Sequence, residues 1–307
     1  MPSATQWQWT RAELFRKVAN PSQLLGLLAA EYTDGPARGM RFLQVRSGGG
    51  LSATLHPDRA LDIGLVEVAG TPISWISPVG PVNPLLSWGD DRPSFQRSFG
   101  GGMMVTCGMR HFGAPVTIGD ESFPTHGRVH SLPASNVRWG TDWNESRIWV
   151  EGVVRETRMG AERLELHRRI EVPIGGTEIL VTDRIENVGF REERLEMLYH
   201  INLGFPLLDE ETSVQLDQAE VDLSGQSGGL DFQGLDGSRV RVTNPALPFA
   251  VEITASLPNL MFWYQPDPGM NVLAVEPYIR LEAPLPPRSA MTLQVRITAV
   301  DTQARKA

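Results

Sequence analysis

The chain of 307 residues has one cysteine, Cys107. That excludes an intrachain disulfide and a cysteine-rich zinc site, and it suits a reducing compartment. Basic residues are in the minority, with 28 Lys and Arg against 36 Asp and Glu and a formal charge of −8. Without a basic field to collect phosphates, nucleic acid is not an expected partner, and a small neutral ligand fits better. No apolar run approaches the ~20 residues needed to span a bilayer. The opening Met1-Pro2-Ser3-Ala4-Thr5-Gln6-Trp7 lacks the basic and then apolar pattern of a secretory leader. No membrane partner is expected, and the cytoplasm is the default location. Internal repeats, heptads and low-complexity tracts are also missing. Gly100-Gly101-Gly102 is followed by no Lys-Ser/Thr pair, so it reads as a tight turn or a close backbone approach rather than a phosphate cradle.

What is present points to an all-β protein. A hydrophobic fraction of 41% supports a substantial core, and 30 Gly with 23 Pro spread along the chain suit many short strands and turns. Residues 1–38 differ from the rest. Arg11 to Lys17 and Pro21 to Glu31 have helical spacing, which predicts an N-terminal helical arm before one β-sandwich domain over 39–307. Strand signals recur from Met40 onward and include Arg41 to Arg46, Leu51 to His56, Ile63 to Val68, Arg194 to Leu203, Phe249 to Ala255, Val272 to Glu276 and Ala290 to Val300. The clearest hairpin turns at Pro173-Ile174-Gly175-Gly176. Leu164, Leu166, Ile170 and Val172 alternate there with Glu165, His167, Arg169 and Glu171, so His167 is expected on a wet face. The stretch from Pro78 to Pro124, rich in Gly, Pro and Trp, reads as loops and short strands over a sheet face.

Three segments carry polar groups that a catalyst could use: Thr125-His126-Gly127-Arg128, Tyr199-His200-Ile201-Asn202-Leu203-Gly204 and Leu273-Ala274-Val275-Glu276-Pro277. Two histidines and a carboxylate suit acid/base chemistry near neutral pH. Alternation puts Leu198, His200 and Asn202 on one face of a strand, where His200 is either a hydrogen-bonded core residue or faces a cleft. His126, Arg128 and His130 would share a face if their segment is extended. Glu276 sits at a strand end, and Pro277, which cannot donate to a ladder, is expected to stop that strand. Trp75, Trp88 and Trp263 could stack on a sugar or pack in the core. Cys107 among apolar residues reads as a buried thiol. A metal held by His126, His200 and Glu276 is chemically allowed but not expected, since no local His-x-His or His-x-x-x-His spacing supports it.

In combination these segments resemble the galactose mutarotase (aldose 1-epimerase) superfamily. The resemblance runs from the His-Gly motif through the hairpin ending Asp183-Arg184-Ile185-Glu186-Asn187-Val188-Gly189 to the Leu-Ala-Val-Glu-Pro strand. Asp58-Arg59-Ala60-Leu61-Asp62-Ile63-Gly64, Ser98-Phe99-Gly100-Gly101-Gly102, Thr106-Cys107-Gly108 and Tyr199 to Leu208 are similar to an aldose 1-epimerase-like branch of unknown function. The resemblance implies a large antiparallel β-sandwich with a monosaccharide on an open concave face and no cofactor. It also implies His200 as the acid that protonates the ring oxygen, Glu276 as the base at the anomeric hydroxyl and His126 as a positioning donor. Arg59, Arg128, Asn202, Trp75 and Trp263 are the substrate-binding candidates. The family's hydroxyl-gripping Asp has only Asp231 and Asp236 as candidates here, and Pro277 to Ala283 replaces its usual polar pattern. The function implied is carbohydrate isomerisation at the anomeric centre. The alternatives are a sugar epimerase or ketose–aldose isomerase, for which Arg59, Arg97 and Arg128 would steady an enediolate or a substrate carboxylate, and a non-catalytic carbohydrate-binding domain. A sugar is the expected small-molecule partner, and a homodimer is open.

Overall fold

The computed structural model describes residues 10–86, 89–223 and 228–302. Trp88 lies outside them. Among the described residues the strands form a nine-stranded antiparallel sheet, two five-stranded antiparallel sheets and a small hairpin. One five-stranded sheet follows chain order from Gly26–Glu31 to Thr71–Pro72. The other, which carries the site, has the order Gly228–Phe232, Asn259–Gln265, Val272–Arg280, Glu196–Leu203, Val105–Met109. Isolated bridges Ile63–Met104 and Ser74–Leu203 join these two into one layer. The nine-stranded sheet is the second layer, and one apolar core lies between them, with Leu166, Val181, Ile253 and Val295 from one side and Leu55, Val66, Tyr199 and Phe262 from the other. The molecule is thus an all-β sandwich.

The expected strands are present with small boundary shifts, and Arg41–Arg46, Leu51–His56 and Phe249–Ala255 have the expected bounds. Arg163–Pro173 and Glu178–Asn187 pair as the hairpin, and their burial alternates strictly. His167 is on the wet face beside Glu165, its side chain 38% exposed. At the N-terminus Arg11–Lys17 is helical, closed by a Thr10/Glu13 capping box. The helical reading of Pro21 to Glu31 does not hold. Pro21–Gln23 is one 3₁₀ turn, and Gly26–Glu31 is an edge strand paired with Arg41–Arg46. Short leucine-rich runs fit either period, and here the available hydrogen-bonding partner decides.

Pro277 also departs from expectation. The strand runs through it to Arg280, with Pro277 opposite Leu260. On the other side the ladder to Glu196–Leu203 pairs Leu198 with Tyr278 and Ile201 with Val275 but lapses between them, opposite Tyr199 and His200. The missing proline N–H falls in that lapse, so no ladder donor is lost.

Candidate active site

The two strands at the centre of the site are buried on both faces: all eight residues of Glu196–Leu203 are buried, as are Val272 to Tyr278. The face turned from the core carries one row of cross-strand neighbours. Asp231 is opposite Met261, Met261 opposite Glu276, and His200 opposite Val105, with the lapsed ladder between Glu276 and His200. His200 and Glu276 meet across that gap, with Nε2 3.2 Å from Oε1 and side-chain exposures of 8% and 3%. Burial pushes the imidazole down to about 3, with His126 adding to the shift and Asn202 opposing it. Burial likewise pushes the Glu276 carboxyl up to about 8. The pair therefore holds one proton and no net charge over a broad range around neutrality.

His126 completes the cluster, its ring centroid 5.8 Å from that of His200. Its segment is not extended. His126 has φ +60°, Gly127 follows at φ +72°, and Val129–Ser131 is a 3₁₀ turn. His126 accepts from Gly108 N–H and donates its own N–H to Gly113, which clamps the loop to the edge of the sheet. A side chain at Gly127 would meet the His111 carbonyl at 2.3 Å, so this crossing requires glycine. A histidine held in the left-handed region is strained, a condition common at functional sites. The bent path separates the residues that alternation would have placed together. His126 and His130 turn onto Phe95. Arg128 goes instead to Glu121 and Glu156 and stacks on Phe123.

Helix Arg92–Ser98 roofs the cluster. Asp91 caps it by accepting from Ser94 N–H, and Pro93 suits its first turn. The i, i+4 spacing puts Phe95 and Phe99 on one face, rings 5.0 Å apart, Phe95 on His126 and Phe99 on His200. Trp263, half-buried, also meets His200 edge to face, with ring centroids 6.0 Å apart. Asn202 donates to the carbonyls of Gly102 and His200. Trp75 is occupied structurally: its indole N–H donates to Met270, and its ring and carbonyl lie where a side chain on Gly101 would have to go. The close backbone approaches at Gly100-Gly101-Gly102 are thus to Gly80, to the Trp75–Ser77 segment and to Ile63-Gly64 in turn, and Trp75–Ser77 exchanges hydrogen bonds with the glycines.

Of the residues singled out from sequence, His200, Glu276, His126, Asn202 and Trp263 come together. Arg59 lies behind Gly100-Gly101-Gly102 on the wall of an adjoining cavity. Arg97 is exposed on the roof helix, and Asp236 is exposed in a bend. Asp231 is on the His200 row, about 10 Å from Glu276 by two strand spacings, and accepts from the Tyr278 hydroxyl at 2.8 Å. Cys107 is fully buried, and burial raises its thiol pKa. Among the described residues no group of His, Cys, Asp or Glu is arranged to hold a metal ion.

Two features were missed from sequence. Phe95 and Phe99 become a roof only once the Asp91 cap is read. Arg168 sits at an inward position between Leu166 and Ile170; its fork holds Asp183 at 2.9 and 2.7 Å and reaches Asp62 at 3.0 Å. Tyr199, on the reverse face from His200, donates to Asp183, and Thr106 donates to Asp62. This network crosses the core directly behind the site.

Solved structures of mutarotase-like proteins share this all-β sandwich fold. A Klebsiella pneumoniae protein provisionally assigned as an aldose 1-epimerase superposes with a TM-score of 0.82 at 22% identity, covering 93% of this chain and 88% of that one. A galactose mutarotase-like protein of Clostridium acetobutylicum gives 0.64 at 13% identity over 90% and 99% of the two chains. Galactose 1-epimerase of Lactobacillus acidophilus gives 0.61 at 11% identity over 90% and 99%. No curated protein sequence matches the chain. Residues 37–229 match the family described as "Domain of unknown function (DUF4432)", and the chain belongs to that family.

Proposed function

We propose that the protein is a cofactor-independent carbohydrate isomerase that interconverts the anomers of an aldose. The observation that carries this reading is the 3.2 Å contact of His200 with Glu276 on a buried sheet face, beside His126 and a half-buried tryptophan. Opening a sugar ring requires one proton delivered to the ring oxygen and one withdrawn from the anomeric hydroxyl. A pair that holds a single proton supplies both functions at once. Glu276 is raised by burial alone, so a sugar hydroxyl donating to it would restore what burial removed and favour the carboxylate. The proton then resides on His200, which delivers it to the ring oxygen while Glu276 withdraws the anomeric proton. Closure on the other face of the free carbonyl gives the second anomer. His126 is placed to hold the ring through hydrogen bonding, and Trp263 offers a face for its C–H groups.

His200→Asn and Glu276→Gln should each lower kcat by about 10²-fold or more with the fold retained. Anomer exchange of a panel of aldoses, followed by NMR in deuterated water, measures it. Exchange without deuterium entering carbon is the expected result. Incorporation next to the carbonyl would establish enediolate chemistry instead, and full activity in either variant would remove that residue from the mechanism.

A further inference from the structure

Beside the His–Glu pair lies a cavity of about 280 Å³ lined by Tyr32, Thr54, His56, Arg59, Asp62 and Gly100-Gly101-Gly102 among others. Val105 shares its wall and is the cross-strand neighbour of His200, so the cavity borders the face on which the proposed chemistry occurs. Leu65 and Ile76 also line it and are exposed, so it reaches the surface. Arg59 is 7% exposed, and its guanidinium makes one hydrogen bond, to the Val82 carbonyl at 2.9 Å. Among the described residues it has no ion pair. Asp62, the carboxylate that acts on it through space, is taken by Arg168 and by Thr106. The backbone at Arg59 is fixed. Arg59 N–H donates to His56, Asp58 is clamped by Arg41, and Ala60 and Leu61 both have positive φ.

Among the described residues the other N–H groups of the Arg59 guanidinium have no protein acceptor, yet they are not sealed from solvent, so they open on the cavity, where an acceptor would take the place of water in front of them. His56 and His130 add no charge nearby, since burial first and Arg59 second push them down to about 4 and about 3. One fixed positive charge with a forked donor matches one monoanion of planar geometry. We infer that the sugar bound here carries a carboxylate, which Arg59 receives in this cavity while the anomeric centre lies at His200 and Glu276. This assignment rests on the proposed isomerase reading and names its substrate class, a uronic acid rather than a neutral hexose.

The test compares glucuronate and galacturonate with their C6 amides, which keep the shape and remove the charge, in the NMR anomer-exchange assay. For the wild type, kcat/KM for the acid is expected to exceed that for the amide by about 10- to 100-fold. Arg59→Gln should erase that preference, and Arg59→Lys, which keeps the charge without the fork, should restore part of it. Equal treatment of acid and amide by the wild type overturns the assignment whether or not the variants fold, as does a preference that survives in Arg59→Gln. If no sugar exchanges its anomers, the isomerase reading fails, and calorimetric titration of the same ligands decides the cavity separately. Binding selective for the acid and dependent on Arg59 upholds it, and unselective or absent binding overturns it.

Discussion

The nine-stranded sheet and the sheet carrying His200 and Glu276 pack on opposite sides of one core, yet they differ in what covers their outer faces. The nine-stranded sheet meets water there. Arg147–Thr157, Arg163–Pro173 and Glu178–Asn187 therefore alternate between buried and partly exposed residues. The site sheet is covered on its outer face by helix Arg92–Ser98, the glycine-rich segment and the His126 loop. Its two central strands are buried throughout from Glu196 to Leu203 and from Val272 to Tyr278, and polar residues there have no water to turn to. A polar side chain costs little on the first outer face. On the second it persists only with a partner or a ligand, and that is where His200, Glu276 and Asn202 are found.

Arg168 is the exception that ties the two sheets, because it brings a charge to the inner face of the nine-stranded sheet. Replacing it with methionine leaves Asp183 and Asp62 buried without their cation and should cost about 3–5 kcal/mol, read from chemical denaturation. A loss below 1 kcal/mol would show that the core does not depend on the network. One turn of the alternation earlier, Leu166→Ala should cost about 2–5 kcal/mol through lost burial and a residual cavity, measured in the same way. Its side chain is fully buried.

On the site sheet the sharper test is pH. His200 has a depressed pKa, about 3 against an ordinary 6.5, so its contribution is complete above 6.5 and is lost as pH falls toward 3. Glu276 is raised, about 8 against 4.5, so its contribution is complete below 4.5 and is lost as pH rises toward 8. Between pH 4.5 and 6.5 the two dependences cancel, since the folded and the unfolded pair each carry one proton. Between 6.5 and 8 the folded pair keeps a proton that the unfolded pair has released, and stability should fall by roughly 1.4 kcal/mol per pH unit. Glu276→Gln should flatten that alkaline slope. An unchanged slope would mean that Glu276 is ionised in the folded protein. The smallest effect belongs to the wet face, where His167→Ala should shift stability by no more than about 0.5 kcal/mol. A larger change would show that its contacts with Glu165 and Glu186 matter more than their exposure suggests.

The two sheets also differ in how well they could be read. Alternation along Leu164 to Val172 specified the strand, its inward face and the exposure of His167, because a half-wet sheet writes its environment into every second residue. The same period put His200 and Asn202 on one face, but in a strand buried on both sides it could not separate a core histidine from one facing a ligand. The helical spacing of Leu24 to Leu28 misled for a related reason, since a short apolar run carries no period of its own. Arg128 was grouped with His126 on the assumption of an extended segment, and the positive φ at His126 turned it elsewhere.

Sequence by itself determined the all-β class, most strand positions, the wet and dry faces of the hairpin, and the three segments that hold His126, His200 and Glu276. These are readable along the chain itself, from side-chain period, turn residues, the single cysteine and the minority of basic residues. Tertiary structure decided that the three segments meet, that a lapse opposite Pro277 lets His200 reach Glu276, that Asp231 belongs to their row, and that Arg59 faces a cavity while Arg128 turns to Glu121 and Glu156. Each of those depends on strand order and on what covers a face, and so on contacts between residues far apart in the chain that no local pattern encodes.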